Sequence, residues 1–470
     1  MKKYNPLWSL LLLFLGIVGC APQERELVIL STNDMHGRIE HFARLATAVE
    51  RCRDTVEVIL VDAGDRWTGN AYVDLAEDRK PILELMNDLG YDLATLGNHE
   101  FDAGQALLER AVGHCDFPLI CGNIHPETSA LLKPFEATRI LSRGGIRVGF
   151  SGVVTNYGPN GHPDGHDAIF EGLAFSDAVA TATDLLSELE GRCDLKVALT
   201  HVGLDRDREI AAAAPGYDLI IGGHSHDRAN EEVNGVLITQ AGSKMRQVGA
   251  TTIRMRGEEV ISCTFRLLSL EDYDPDPRYE ERVATYLANP AMQRPVGEVV
   301  VAANHVGLSN LFAESVRRAG EAEVGLYHSG GVRLDTLPMG PVPIAAIYDL
   351  DPFTSRVSTL EMTPEQLRRM IIAKFNDPIK KSESHCIDLY ATVPYTVVTN
   401  EKFDAIDVEF PTLKEGRRYR VAMGDYIFKT YSSVEGEQGR HLDILVTDAL
   451  IESLSQAPYA ADNHRYQSIR

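Results

Sequence analysis

The chain of 470 residues offers no apolar run beyond its N-terminus that could cross a bilayer, since about 18 consecutive apolar residues are needed. It has no CxxC pair, which argues against a thiolate zinc site, and no internal repeat or low-complexity tract. Positive charge is scarce: 46 Lys and Arg face 68 Asp and Glu, for a formal net charge of −22. Nucleic-acid polymers are held by Lys and Arg that neutralise phosphates, so this balance argues against them as partners. A small anionic ligand would instead be drawn in by local positive charge such as bound cations. What is present, 44% hydrophobic and 24% charged residues, is the composition of a soluble globular protein. The length calls for two sizeable domains.

The N-terminus reads as a targeting signal. Lys2 and Lys3 precede the 13-residue stretch Leu7–Gly19, in which Ser9 is the only polar side chain. A positive segment followed by a short apolar one is the pattern of a signal peptide. Ile17-Val18-Gly19-Cys20 resembles a bacterial lipobox, which makes residues 1–20 a lipoprotein signal and Cys20 the lipidation site. The expected location is the cell envelope, with membrane contact through the lipid anchor only. Ordinary cleavage to a secreted form is the alternative. Cys52, Cys115, Cys121, Cys193, Cys263 and Cys386 remain, read as small apolar residues or one or two incidental bridges.

From Glu26 to about Leu270, apolar runs alternate with amphipathic stretches. The runs are Leu27–Leu30, Val56–Val61, Leu93–Leu96, Leu119–Ile120, Ile146–Val154, Val197–Leu199 and Leu219–Ile221. Between them lie His41–Arg53, Pro81–Leu89, Ala103–Val112 and Phe175–Glu190, the first with Phe42, Leu45, Ala46 and Val49 at helical spacing. Such alternation predicts a layered α/β domain over 24–270, with mainly parallel strands. The acidic, twice-proline segment Glu271–Pro277 breaks the pattern. With the charged, helix-compatible stretch after it, 271–294 reads as a linker helix, and 295–470 as a second α/β domain.

Five polar clusters each follow one of those apolar runs: Asp34-Met35-His36, Asp62-Ala63-Gly64-Asp65, Gly97-Asn98-His99-Glu100-Phe101-Asp102, His201, and Gly222-Gly223-His224-Ser225-His226. Ligands of α/β sheets bind outside the carboxyl ends of strands, so five strand ends would bring Asp, Asn and His side chains to one rim. Carboxylate, amide oxygen and imidazole suit Zn, Mn, Fe or Co. Two such ions about 3.5–4 Å apart need a bridging carboxylate to offset their repulsion. Glu100 reads as a surface or structural carboxylate rather than a base. His41, His114, His125, His162 and His166 have no motif context, although the last two lie in a Gly-rich loop.

This order of clusters resembles the calcineurin-like metallophosphoesterases, and within them the family of 5′-nucleotidases, UDP-sugar hydrolases and 2′,3′-cyclic phosphodiesterases. The resemblance implies an N-terminal metallophosphoesterase domain, a layered α/β/β/α sandwich, and a C-terminal α/β substrate domain of the 5′-nucleotidase type. Asp34, His36 and His226 would hold one divalent ion, Asn98, His201 and His224 the other, and Asp65 would bridge, with Zn, Mn or Co as the metals. His99 and Asp102 would form the catalytic dyad, and Asn98 would also touch substrate. Many members carry Gln where this chain has His226.

In the second domain, His328-Ser329-Gly330-Gly331-Val332-Arg333 resembles the family's Asn-Ser-Gly-Gly-x-Arg motif. Arg333 would then grip the substrate phosphate, while Phe353 and Tyr426 would sandwich a base. Three departures stand out. Ser355 replaces a frequent Asn, the Gly-Gly-Asp-Gly segment expected after the second aromatic is missing, and Ala302 and Ala303 stand where some members have arginines. The expected activity is removal of phosphate from nucleotides. A 2′,3′-cyclic phosphodiesterase, a UDP-sugar hydrolase, a thiosulfohydrolase and an inactive surface-binding lipoprotein are the alternatives.

Overall fold

The computed structural model describes residues 24–470 apart from 130–131, 159, 166, 354, 377–387 and 432–438; Cys20, His166 and Cys386 lie outside the described residues. The first domain is built on two six-stranded sheets. In chain order its strands are β1 (Glu24–Thr32), β2 (Glu57–Asp62), β3 (Leu93–Thr95), β4 (Leu119–Ile120), β5 (Thr138–Arg143), β6 (Ile146–Val154), β7 (Leu195–His201), β8 (Leu219–Ile221), β9 (Arg228–Val233), β10 (Val236–Ala241), β11 (Gln247–Arg256) and β12 (Glu259–Ser269). One sheet runs β12-β11-β1-β2-β3-β4 and the other β9-β10-β8-β7-β6-β5. Their central pairs are parallel, and the pairs β1/β11, β11/β12, β5/β6 and β9/β10 are antiparallel.

The central strands are apolar on both faces because both faces are covered. Leu27, Ile29, Ile59, Val61, Val148, Phe150, Val197 and Leu199 fill the space between the sheets. The opposite face of the first sheet packs on α1 (Phe42–Arg53), α2 (Lys80–Leu89) and α3 (Gln105–Val112) through Leu45, Val49, Ile82, Met86 and Leu108. The second sheet carries α4 (Ala178–Leu189) and α5 (Leu204–Ala213) through Leu185, Leu189 and Ile210. The layers are therefore α/β/β/α. Helix α3 starts later than the apolar spacing indicates, because Gly104 at φ +83° turns the chain just before it.

The acidic segment leads into α6 (Pro277–Leu287), capped by Asp276, whose side chain accepts from the backbone N–H of Arg278 and Tyr279. Its buried residues Tyr279 and Val283 join the core under α1, so this helix packs as part of the first domain. The second domain contains α7 (His305–Ala319), β13 (Val324–His328), α8 (Ile344–Leu350), β14 (Arg356–Met362), α9 (Pro364–Phe375), β15 (Leu389–Ala391), β16 (Tyr419–Gly424), α10 (Asp425–Tyr431), β17 (Arg440–Leu445) and α11 (Val446–Gln456). Its main sheet runs β15-β13-β16-β14-β17. Cys52, Cys115, Cys121, Cys193 and Cys263 are all free thiols, so no bridge forms among the described residues.

The two domains meet across a cleft. The Ala71 N–H donates to Asp349 Oδ1 at 2.7 Å, and Asp335 takes Lys244 and Arg246 at 3.2 and 3.3 Å. No described helix is long and apolar enough to cross a membrane.

Candidate functional site

Each strand that ends on the cleft delivers its polar cluster within a few residues. β1, β2 and β3 of the first sheet lead to Asp34 and His36, Asp65, and Asn98 and His99; β7 and β8 of the second lead to His201, and to His224 and His226. The site therefore straddles the rims of both sheets. Asp34, His36 and His201 are at most 1% exposed and form its floor. Asp65, Asn98, His99, Asp102, His224 and His226 line a cleft of about 210 Å³ together with Arg333, Phe353 and Tyr426 from the second domain.

Ligand-type atoms gather in three overlapping groups, Asp34/His36/His226, His36/Asp65/His99 and Asp65/His201/His224, each within 4.8 Å of one another. Asn98 joins the last through its Oδ1, 2.9 Å from His224 Nδ1. Asp65 and His36 are the members shared between groups. Asp65 is thus the carboxylate common to two of the groups.

The backbone is shaped for this convergence. Asp34, His36, Asp65, His224 and His226 all lie at positive φ, between 48° and 83°. Such conformations cost on the order of 1 kcal/mol or more each and persist where the surroundings over-determine them. Glycine is required beside them: a Cβ on Gly97 would sit 2.1 Å from Asp65 Oδ1, and one on Gly64 2.8 Å from His201 Nδ1.

The electrostatics point the same way. Burial raises the cost of ionising Asp34 and Asp65, yet neighbouring histidines hold both carboxyls below the ordinary range, Asp65 well below it. Burial opposes a charged His201 ring too, but Asp65 and then Asp34 drive its pKa up to about 10. Burial, with His201 adding, pushes His224 down to about 4. His36 falls well below its usual value through burial and the Arg333 charge.

The donor set fits divalent cations. His201 Nε2 lies 3.1 Å from Asp65 Oδ2 but out of line for a hydrogen bond, and is a buried polar atom with no hydrogen-bond partner. His36 Nε2 and His226 Nε2 face each other at 3.0 Å. The other ring nitrogens of His36 and His201 lie 3.0 and 2.7 Å from the carbonyls of Thr68 and Ala63. Donation to a carbonyl leaves the Nε2 of the neutral ring aimed into the site, as in metal-binding histidines, and at His201 a cation there would take the place of the proton that Asp65 and Asp34 otherwise favour.

His99 is held by Asp102, with Nδ1 2.7 Å from Oδ2. Burial opposes protonation of this ring, but Asp102 and Asp65 outweigh it and raise the pKa above its ordinary value. Arg333 reaches across the cleft to place a guanidinium nitrogen 3.0 and 3.2 Å from the two ring nitrogens of His36, a contact over the ring. Its guanidinium carbon is 5.7 Å from the centre of Phe353, whose ring is 5.8 Å from that of His99. Tyr426 lies 5.0 Å from His328 between ring centres and donates its hydroxyl to Asp164 Oδ1 at 2.6 Å.

Two features had no site role in the sequence reading. Glu100 is fully buried and accepts backbone N–H groups from Asp65, Arg66 and Gly97 at 3.0, 2.8 and 2.5 Å. Of the surface and structural readings its burial leaves the structural one, and it ties two site loops together. Asp164, Gly165 and Ile169 also line the cleft. The Gly-rich loop around them was the available signal, although His162 itself is buried against Phe170.

Known proteins extend this picture. Residues 27–228 match the calcineurin-like phosphoesterase family and residues 291–434 the 5′-nucleotidase C-terminal domain. The chain is 27% identical to the endonuclease YhcR of Bacillus subtilis over 76% of its own length and 33% of that protein's. It is 25% identical to a 5′-nucleotidase of Vibrio cholerae over 75% of its length and 78% of the relative's. It therefore spans about a third of YhcR and most of the Vibrio protein. The fold of a 5′-nucleotidase precursor from Thermus thermophilus superposes with a TM-score of 0.83 at 19% identity, covering 94% of this chain and 99% of the other. The chain belongs to the calcineurin-like metallophosphoesterases that carry a 5′-nucleotidase C-terminal domain.

Proposed function

We propose that this chain is a dimetal phosphohydrolase that removes phosphate from nucleotides outside the cytoplasm. The observation that carries the reading is the meeting of two buried carboxylates, four histidines and Asn98 from one domain with Arg333 and Phe353 from the other. Asp34, His36 and His226 would hold one ion, Asn98, His201 and His224 the second, and Asp65 would serve both. Zn, Mn and Co suit this donor set. When bound, the ions supply positive charge that acidifies water and draws phosphoryl oxygens.

The chain's own residues do the rest. Asp102 fixes the His99 ring and stabilises its protonated form, so that the opposite nitrogen can donate to a phosphoryl oxygen in the transition state. Arg333 offers a planar fork of donors to the same group, and the Phe353 ring keeps water from its flank. Phe353 and Tyr426 form the apolar walls for a base. Residues 24–270 form the metal-binding unit and 295–470 the substrate unit, joined by 271–294, with Cys20 as a lipid anchor.

The test is phosphate release with added Mn, Co or Zn on AMP, 2′,3′-cyclic AMP, UDP-glucose and an aryl phosphate. Preference for AMP is expected. Turnover of the aryl phosphate alone would leave the metal centre standing and remove the base sandwich. Preference for the cyclic nucleotide or the sugar nucleotide would reassign the leaving group.

A further inference from the structure

One turn of the first domain is tied to both halves of the site. It runs from Gly242 to Arg246, between the end of β10 in one sheet and the start of β11 in the other. The loop after β1 fastens it: Asn33 donates from Nδ2 to Gly242 O at 2.6 Å and accepts the Ala241 N–H on Oδ1 at 2.9 Å. The Lys244 N–H then donates to Asp34 O at 2.7 Å. Lys244 and Met245 both stand at positive φ, +59° and +50°. Residues with a Cβ rarely adopt that conformation, and two in succession mark backbone held in place by its surroundings.

The Lys244 side chain leaves this turn for the second domain and is 19% exposed. Its Nζ donates to Arg333 O at 3.3 Å and to Asp335 Oδ2 at 3.2 Å. Arg246 reaches the same carboxylate oxygen at 3.3 Å, but 62% of its side chain is exposed, so its contribution is small. Arg333 is thereby held on both sides of its main chain. Its N–H donates to Leu350 O at 3.0 Å within its own domain, and its carbonyl is taken by the other domain. His305 Nε2 lies 3.2 Å from the preceding carbonyl, that of Val332. From this anchored backbone the side chain reaches the cleft, with a guanidinium nitrogen 3.0 Å from His36 Nδ1. Lys244 itself is not among the residues that line the cleft.

We propose that Lys244 is a positioning residue, which sets Arg333 for the substrate phosphate by holding its carbonyl against the metal-binding domain. Its premise is the phosphohydrolase reading above, with Arg333 on the phosphate. An arginine fork serves a phosphoryl group best when its donors are already in register, and small displacements of a positioned group are costly. A hydrogen bond from a charged donor in a partly exposed place corresponds to roughly a tenfold change in equilibrium.

The experiment is a double-mutant cycle on the full chain: wild type, K244M, R333A and K244M/R333A, with K244R as the conservative variant. KM and kcat are measured for AMP and 4-nitrophenyl phosphate with Mn²⁺ added, and Mn²⁺ affinity by calorimetric titration. Inhibition by inorganic phosphate gives the same cycle from binding alone. K244M is expected to raise KM for AMP about tenfold, and more than for the aryl phosphate, while K244R recovers most of the loss. Mn²⁺ affinity should stay at the wild-type value, because the bond to Asp34 is made by the backbone. In the R333A background K244M should change KM by less than about twofold. A second loss of about tenfold on top of R333A would show that Lys244 acts by itself and overturn the positioning role. So would wild-type KM in K244M, or a joint fall of Mn²⁺ affinity and of kcat for both substrates. Each of these leaves the phosphohydrolase reading intact, whereas a wild-type chain that hydrolyses neither substrate overturns both.

Discussion

Replacing Glu100 by Gln should loosen the metal site without touching any proposed ligand. The carboxylate accepts the Asp65 and Gly97 N–H groups on Oε2 and the Arg66 N–H on Oε1, and Oε1 lies 3.5 Å from the Arg66 guanidinium. A glutamine can present its oxygen to only one side. With the oxygen toward Asp65 and Gly97, its NH2 faces the Arg66 donors, and one buried N–H loses its partner at about 1–3 kcal/mol. Arg66 is 1% exposed, so losing one of its two carboxylate partners adds a further cost. Breaking a buried pair costs about 3–5 kcal/mol, and the surviving Asp62 contact at 3.1 Å places Arg66 at the low end. We expect E100Q to lose about 4–6 kcal/mol of stability and about tenfold to a hundredfold in metal affinity. Trp67 adjoins Arg66 and is the sole tryptophan of a fragment beginning after Cys20. Its fluorescence during urea unfolding reads the first quantity, and calorimetric titration with Mn²⁺ reads the second. A variant within about 1 kcal/mol of wild type and with unchanged Mn²⁺ affinity would refute the argument.

Asp65→Ala should lower metal affinity and turnover by more than about a hundredfold, and full turnover at stoichiometric metal would end the two-ion assignment. Arg333→Ala should raise KM for AMP by roughly tenfold to a hundredfold, and more than for an aryl phosphate; equal effects on both would remove its role in nucleotide binding. Asp102→Asn should lower the His99 pKa, because Asp102 is the first of the groups that raise it against burial. Activity that needs protonated His99 is lost as pH rises through that pKa, so the alkaline limb of kcat should move to lower pH. A limb that stays in place while kcat falls would make Asp102 structural only.

Much of this protein was legible in one dimension. Apolar runs bounded by turn residues marked β1, β2, β3, β4, β6, β7 and β8 to within a few residues, because strands covered on both faces must be continuously apolar. The clusters after them were legible because polar side chains that converge at strand ends follow their strands in sequence. The acidic, proline-containing segment marked a change of pattern, yet α6 packs on α1, since Tyr279 and Val283 bury more apolar surface there than a free linker would. Sequence could not assign strands to sheets. β1 and β7 look alike as apolar runs, and only face-to-face packing of two sheets brings Asp34 and Asp65 beside His201 and His224. Nor could it find the burial of Glu100 or the Tyr426–Asp164 bond, which joins residues 262 positions apart. A lone acidic residue carries no periodicity. Whether it faces water, three backbone N–H groups or the far wall of a cleft is decided only when distant segments pack around it.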